Sequence, residues 1–291
     1  MSKHIPFQNF IGFTLLNKKI IMKKTLILFL MLAFSFSIKG QDPKVPRPIY
    51  FFLGIGLPII KVRDEAHSSL KYQGFMPTLR VGYEEITEKH VSRIAVSASF
   101  GTASPKTYPK PQQNVSNLEV NNIQVNYTYY QRSGAFDTPQ GINEGWNRYL
   151  GGAFTMTIDM RSYNLPSNNL LGYQVNASLN VGGFIQKKLD AKWRFNYEAF
   201  TPVLSYALRP SYMGMIPMKG GDFNAKSVFS NGKIVTINKL FRFYNRFSFD
   251  QTINDHHQRR LNYSWDFHSN TVSKPLKSIV AGLGYESLFK M

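Results

Sequence analysis

The segment Leu261–Asn270, LNYSWDFHSN, carries the residue types that most invite a chemical reading. In an extended strand, successive side chains point to opposite faces. Asn262, Ser264, Asp266 and His268 then share one face, and Leu261, Tyr263, Trp265 and Phe267 share the other. A serine, a carboxylate and an imidazole are the parts of a nucleophilic triad. Residues two apart on a strand are about 6.5–7 Å apart at the backbone, so Asp266 can reach and orient His268. The same spacing leaves Ser264 too far from His268 to be its nucleophile, which would have to come from a neighbouring strand. The competing reading makes no residue of the column catalytic. Asn262, Ser264, Asp266 and His268 are then the polar lining of a lumen, with Asp266 paired to a cross-strand arginine such as Arg242 or Arg246. The serine spacing favours this second reading.

Other chemistry is thinly represented. The chain has no cysteine, which removes disulfides, thiolate metal sites, cysteine nucleophiles and lipid attachment through a cysteine. His256 and His257 are adjacent, and neighbouring side chains on a strand diverge, so they read as part of a short turn and not as a metal pair. Gly151–Phe154, Asn180–Phe184 and Lys219–Phe223 are glycine-rich but lack the spacing of a phosphate loop. In the first two, inside strands, glycine marks a bend. No cofactor and no metal are expected.

The elements that must position this column begin after an export signal. Met22-Lys23-Lys24-Thr25 is a short basic region, Leu26–Ile38 an apolar run of 13 residues, and Lys39-Gly40-Gln41 follows. Such a run suits a secretory signal and is short of the roughly 20 residues that cross a bilayer as a helix. The expected division is a signal peptide over 1–40, with Met22 the expected start and cleavage before Gln41, and a β-barrel over 41–291. Removing residues 1–40 takes six lysines and no acidic residue, leaving 29 basic against 17 acidic residues, a net +12. The basic residues are scattered, without an arginine-rich helix or an RNA-binding aromatic motif, so nucleic acid is not an expected partner. Outer-membrane lipids and lipopolysaccharide are expected partners, with the barrel-assembly machinery during insertion. The oligomeric state is not legible.

The rest of the chain alternates at period two in segments of roughly 10–15 residues, the pattern of outer-membrane barrels. In Asn121–Gln131, Ile123, Val125, Tyr127 and Tyr129 oppose Asn122, Gln124, Asn126, Thr128 and Tyr130. In Gly172–Phe184, Tyr173, Val175, Ala177, Leu179 and Val181 oppose Gln174, Asn176, Ser178 and Asn180. Ten strands are expected near 48–60, 75–87, 90–101, 117–131, 145–161, 172–187, 190–207, 236–252, 257–268 and 276–289, with twelve the alternative count. Connections 61–74, 102–116 and 208–235 come out long, while 88–89, 188–189 and 253–256 come out short. Short turns at one end and long loops at the other are what a bacterial barrel has. The 208–235 loop holds Tyr212, three methionines and two prolines within Arg209–Lys226, and reads as a lid or plug. Aromatics near segment ends, among them Tyr50, Phe51, Tyr83, Tyr129, Tyr130, Trp146, Tyr149, Trp193, Phe195, Tyr206, Tyr244 and Trp265, are expected to form interfacial girdles.

The expected fold is therefore all-β: one antiparallel transmembrane β-barrel of about ten strands. Gln41 at the mature start, the stretches RRLNYSWDFHS (Arg259–Ser269) and LKSIVAGLGYESLF (Leu276–Phe289), and LRPSY (Leu208–Tyr212) resemble uncharacterised outer-membrane β-barrel proteins of the Bacteroidota. Phe289 near the C-terminus resembles the aromatic of the barrel insertion signal, though Lys290 and Met291 follow it. The resemblance implies a fold and an outer-membrane location, and no reaction. Lipid A deacylases and outer-membrane phospholipases carry His-x-Ser-Asn, which His268-Ser269-Asn270 resembles without the intervening residue. Only a bulge at Ser269 would restore its geometry. The function expected first is non-enzymatic: a narrow channel, or a structural or surface envelope protein. An outer-leaflet lipid hydrolase using His268 is the second reading, and a secreted soluble β-sheet binding protein the third.

Overall fold

A computed structural model describes residues 48–66, 68–105, 117–133, 146–164, 169–209 and 232–291, all within the unit Arg47–Met291. The expected signal peptide, Gln41, Tyr212 and the methionines of the 208–235 connection lie outside the described residues. Those described form twelve strands. They are β1 (Ile49–Asp64), β2 (Ser68–Phe75), β3 (Thr78–Ile86), β4 (His90–Pro105), β5 (Leu118–Arg132) and β6 (Trp146–Asn164). The second half holds β7 (Asn169–Lys188), β8 (Trp193–Leu208), β9 (Lys233–Thr236), β10 (Leu240–Asn254), β11 (His257–Asn270) and β12 (Leu276–Lys290).

Twelve strands make ten staves of wall. Both β2 and β3 lie between β1 and β4, and both β9 and β10 pair with β8. The first break, at Met76-Pro77, faces Pro58 on β1. Neither proline has an N–H for the ladder, but Met76 N donates to Pro58 O at 2.9 Å and Phe100 N to Pro77 O at 3.0 Å. Pro202 on β8 is tolerated in the same way: the β7–β8 register shifts beside it, between Leu179 and Asn180. Every pairing is antiparallel, and β12 closes on β1 from Tyr50–Lys290 to Asp64–Leu276. Closure leaves the sheet no edge.

Alternation divides the wall into two surfaces. On β1 the outward row is Ile49, Phe51, Leu53, Ile55, Leu57 and Ile59, with Leu57 67% exposed, and Lys61 and Arg63 beyond it. Ten residue steps at about 3.4 Å, on a strand tilted by about 40°, project to roughly 26 Å, close to the apolar band of an outer-membrane barrel. Phe51–Tyr83, Trp146–Phe195 and Phe195–Phe249 pair near one rim, and Phe241–Phe267 and Phe243–Trp265 near the other. Several aromatics expected at these girdles turn inward instead. Tyr130 and Tyr149 pack with Ile86, Val91 and Phe184 in one inner cluster, and Tyr244 stacks on Phe200. Their parity along the strand is that of the polar face. Nearness to a segment end does not reveal parity.

The two termini of the barrel, the start of β1 and the end of β12, lie at one rim, where Met291 N donates to Ile49 O. The β3–β4, β7–β8 and β10–β11 turns lie there too. Two connections at the opposite rim are shorter than expected. β1 and β2 run on to Asp64 and from Ser68, and β6 and β7 leave only 165–168 between them. Above the apolar band the outward residues Lys61, Arg63 and Lys71 are charged and the apolar Val62 and Tyr72 face inward, so the pattern that marks the band reverses while the hydrogen-bond ladder continues. Among the described residues no helix is long and apolar enough to cross a membrane, which has no bearing on a barrel.

Candidate functional site: the lumen

The inner surface is ionic at three levels. At the first, nearest the termini, the pairing registers put Arg194, Asp250, Arg260, Glu286, Gly54 and Arg80 side by side on β8, β10, β11, β12, β1 and β3. Charge alternates along this row, and the glycine leaves the gap that lets Arg80 reach over β1 to Glu286 at 3.0 Å. A Cβ on Gly54 would stand 2.7 Å from Glu286 Cγ and 3.0 Å from Tyr285 O. Arg260, fully buried, also holds Asp250 at 2.6 Å.

Two further cross-strand pairs, Glu84–Arg93 and Glu198–Arg246, complete this level. Contacts then cross the lumen. Arg93 Nη1 donates to Glu198 Oε2 at 2.8 Å, from β4 to β8, and Arg260 Nη2 to Glu84 Oε1 at 2.6 Å, from β11 to β3. The Tyr130 hydroxyl donates to Glu198 at 3.2 Å. Four carboxylates are thus held by five guanidiniums. Charged groups out of water require partners, and these are ion-paired across the whole width of the barrel.

The second level contains the column singled out in the sequence. Asn262, Ser264, Asp266 and His268 line an inner cavity of about 180 Å³ together with Ser97, Gln124 and Asn176. Arg242, opposite His268 on β10, takes Asp266: Nε donates to its two oxygens at 3.0 and 3.1 Å, and Nη2 to Oδ2 at 2.5 Å. Arg242 Nη2 also reaches Gln124 Oε1 across the lumen at 2.9 Å. Asp266 is therefore committed to a guanidinium and does not orient His268. Ser278 on β12 is the cross-strand neighbour of His268 and also faces inward. Ser264 sits four residues from His268 on the same strand, opposite Gly282. Ser269 stays in regular register opposite Lys277, without a bulge. His257 begins β11 and stacks on Phe289, while His256 stays in the turn.

The third level lies near the rim away from the termini. Asp64 on β1 holds Arg161 of β6 at 3.2 Å and Arg209, just past β8, at 2.5 Å. Arg161 also pairs with Asp159, to which Gln174 donates at 2.9 Å. Beside these ions Ile60, Val62, Tyr72, Met76, Leu118, Tyr163 and Leu276 form an inward apolar cluster. Sequence reasoning missed every ionic member of the first and third levels except Arg246. Most are single charges on a polar strand face, and a partner lies as far as 206 positions away. Among the described residues no cluster of His, Asp and Glu could hold a metal ion.

No protein-family model matches the sequence, and no curated protein does. Solved structures do resemble it. The outer membrane protease OmpT from Escherichia coli is similar with a TM-score of 0.50 at 6% identity, over 86% of this chain and 100% of that one. The beta domain of the Bordetella autotransporter BrkA has a TM-score of 0.43 at 9% identity, over 84% of this chain and 100% of that one. Neisserial surface protein A has a TM-score of 0.36 at 11% identity, over 81% and 95%. At these identities the likeness is one of fold: an antiparallel β-barrel of the outer-membrane type.

Proposed function

We propose that the chain is a non-enzymatic outer-membrane protein whose barrel is closed at rest, a structural or surface component of the envelope and not an open channel. The observation that carries this reading is the cross-lumen ionic block of Glu84, Arg93, Glu198, Arg246, Asp250, Arg260 and Glu286. The outward apolar band supports membrane insertion, and Leu26–Ile38 supports export by a signal peptide with assembly by the barrel machinery. The interior argues against lipid hydrolysis. His268 faces the lumen, whereas an outer-leaflet lipid lies against the opposite face of the same strand.

In planar bilayers the wild type is expected to insert without a steady conductance, and the double variant Arg93→Ala/Arg260→Ala to show discrete open steps. A wild type that conducts continuously, as a porin does, would overturn the closed-barrel reading. The purified protein is also expected to release no fatty acid from phospholipid or lipid A. Release that disappears in His268→Ala would establish the hydrolase instead.

A further inference from the structure

The barrel registers bring Lys277, far away in the sequence, beside three basic residues of β1 and β2. Lys71 on β2, Arg63 on β1 and Lys277 on β12 are directly opposite one another, and all three face outward and are exposed. Lys61 lies one outward position below Arg63, opposite Gln73 on one side and Ile279 on the other. Like charges directly opposite on neighbouring strands destabilise a sheet. Here three stand abreast, with Glu65 meeting Arg63 at 3.3 Å in an exposed pair. The cluster sits where the apolar band ends, at the rim away from the termini. Long basic side chains there can lay their stems on apolar surface and keep their charges at headgroup level.

A second feature adjoins it on the same outer face. Immediately below the Lys61–Gln73 pair, Ile59 pairs with Phe75, and with Pro77 and Phe100 they form the apolar part of a groove across β1–β5 whose far side carries Thr102, Ser104, Asn121 and the carboxylate of Glu119. Phe75 and Phe100 are 65% and 51% exposed. A positive cluster directly over the apolar Ile59–Phe75–Phe100 side of the groove matches an anionic amphiphile, with its charged head above and its chain below.

We infer that this face binds a phosphate-bearing lipid of the outer leaflet, its phosphate among Lys61, Arg63, Lys71 and Lys277 and an acyl chain along the Ile59–Phe75–Phe100 groove. The assignment rests on the membrane-spanning reading above. Each basic residue near a membrane surface strengthens anionic-lipid binding by about fivefold. The full-length protein, purified in detergent, is tested by native mass spectrometry with phosphorylated lipid A, dephosphorylated lipid A and inorganic phosphate as separate probes.

The wild type is expected to retain phosphorylated lipid A. The quadruple variant Lys61→Gln/Arg63→Gln/Lys71→Gln/Lys277→Gln is expected to lose on the order of a hundredfold or more in affinity. It should keep the heat-modifiable migration of a folded barrel. Phe75→Ser/Phe100→Ser is expected to weaken lipid A retention while leaving any inorganic phosphate binding unchanged. Equal retention by the quadruple variant and the wild type would sink the site. Inorganic phosphate bound as tightly as lipid A would make the cluster a plain anion patch and overturn the lipid assignment. Wild type recovered as a soluble protein would instead remove the membrane reading beneath it.

Discussion

Arg260→Met is expected to lower the unfolding free energy of the membrane-inserted protein by about 3–5 kcal/mol, read from urea titration in liposomes. The side chain is fully buried on β11 and serves three carboxylates: Asp250 at 2.6 Å, Glu84 at 2.6 Å and Glu286 at 3.3 Å. Methionine fills most of the volume, so the loss is electrostatic and not a cavity. Three buried carboxylates would then face one another with fewer counter-charges. Adding Glu84→Gln to Arg260→Met is expected to restore part of the loss, because one stranded charge is removed with its partner. A single-variant loss below about 1 kcal/mol, the scale of exposed pairs, would show that the block is hydrated and not dry.

Ile55→Arg is the second large effect. Ile55 is 62% exposed near the middle of the outward row of β1, flanked by Leu53 and Leu57. An arginine facing lipid near the bilayer midplane costs about 2–4 kcal/mol. The same change on a water-facing strand stays within about 0.5 kcal/mol. Folding titrations into liposomes should show the larger cost, with fewer molecules reaching the compact heat-modifiable form. A variant that folds and inserts like the wild type would remove the membrane-spanning reading.

Much of the wall was legible from residues alone, because the sides of a strand differ in solvent and the sequence records that difference every second position. The outward run Ile123, Val125, Tyr127, Tyr129 and its polar counterpart on β5 follow directly. Where that contrast ends, legibility ends with it. Lys61, Arg63, Lys71 and Gln73 look like loop because they stand above the band, and the strands there are held by backbone pairing. The lumen was least legible. Arg93 and Glu198 are 105 positions apart and meet only because the ring places β4 across from β8. Asp266 could be assigned an arginine in advance, since Arg242 and Arg246 lie on the adjacent strand at matching heights. His268 could not be resolved until Arg242 was seen to claim its carboxylate neighbour.

The row Arg194–Asp250–Arg260–Glu286–Gly54–Arg80 bears on how the ring finds its correct closure. Sliding β12 against β1 by one residue turns every side chain to the wrong face, and the hydrophobic pattern forbids it. Sliding by two residues keeps every face correct, and the pattern cannot detect the error. On the lumen side, however, such a slip replaces Glu286 beside Gly54 with Gly284 or Leu288. Arg80 would then lose its carboxylate in the dry interior. An alternating row of buried charge, interrupted by one glycine, thus distinguishes two closures that lipid and water would accept equally.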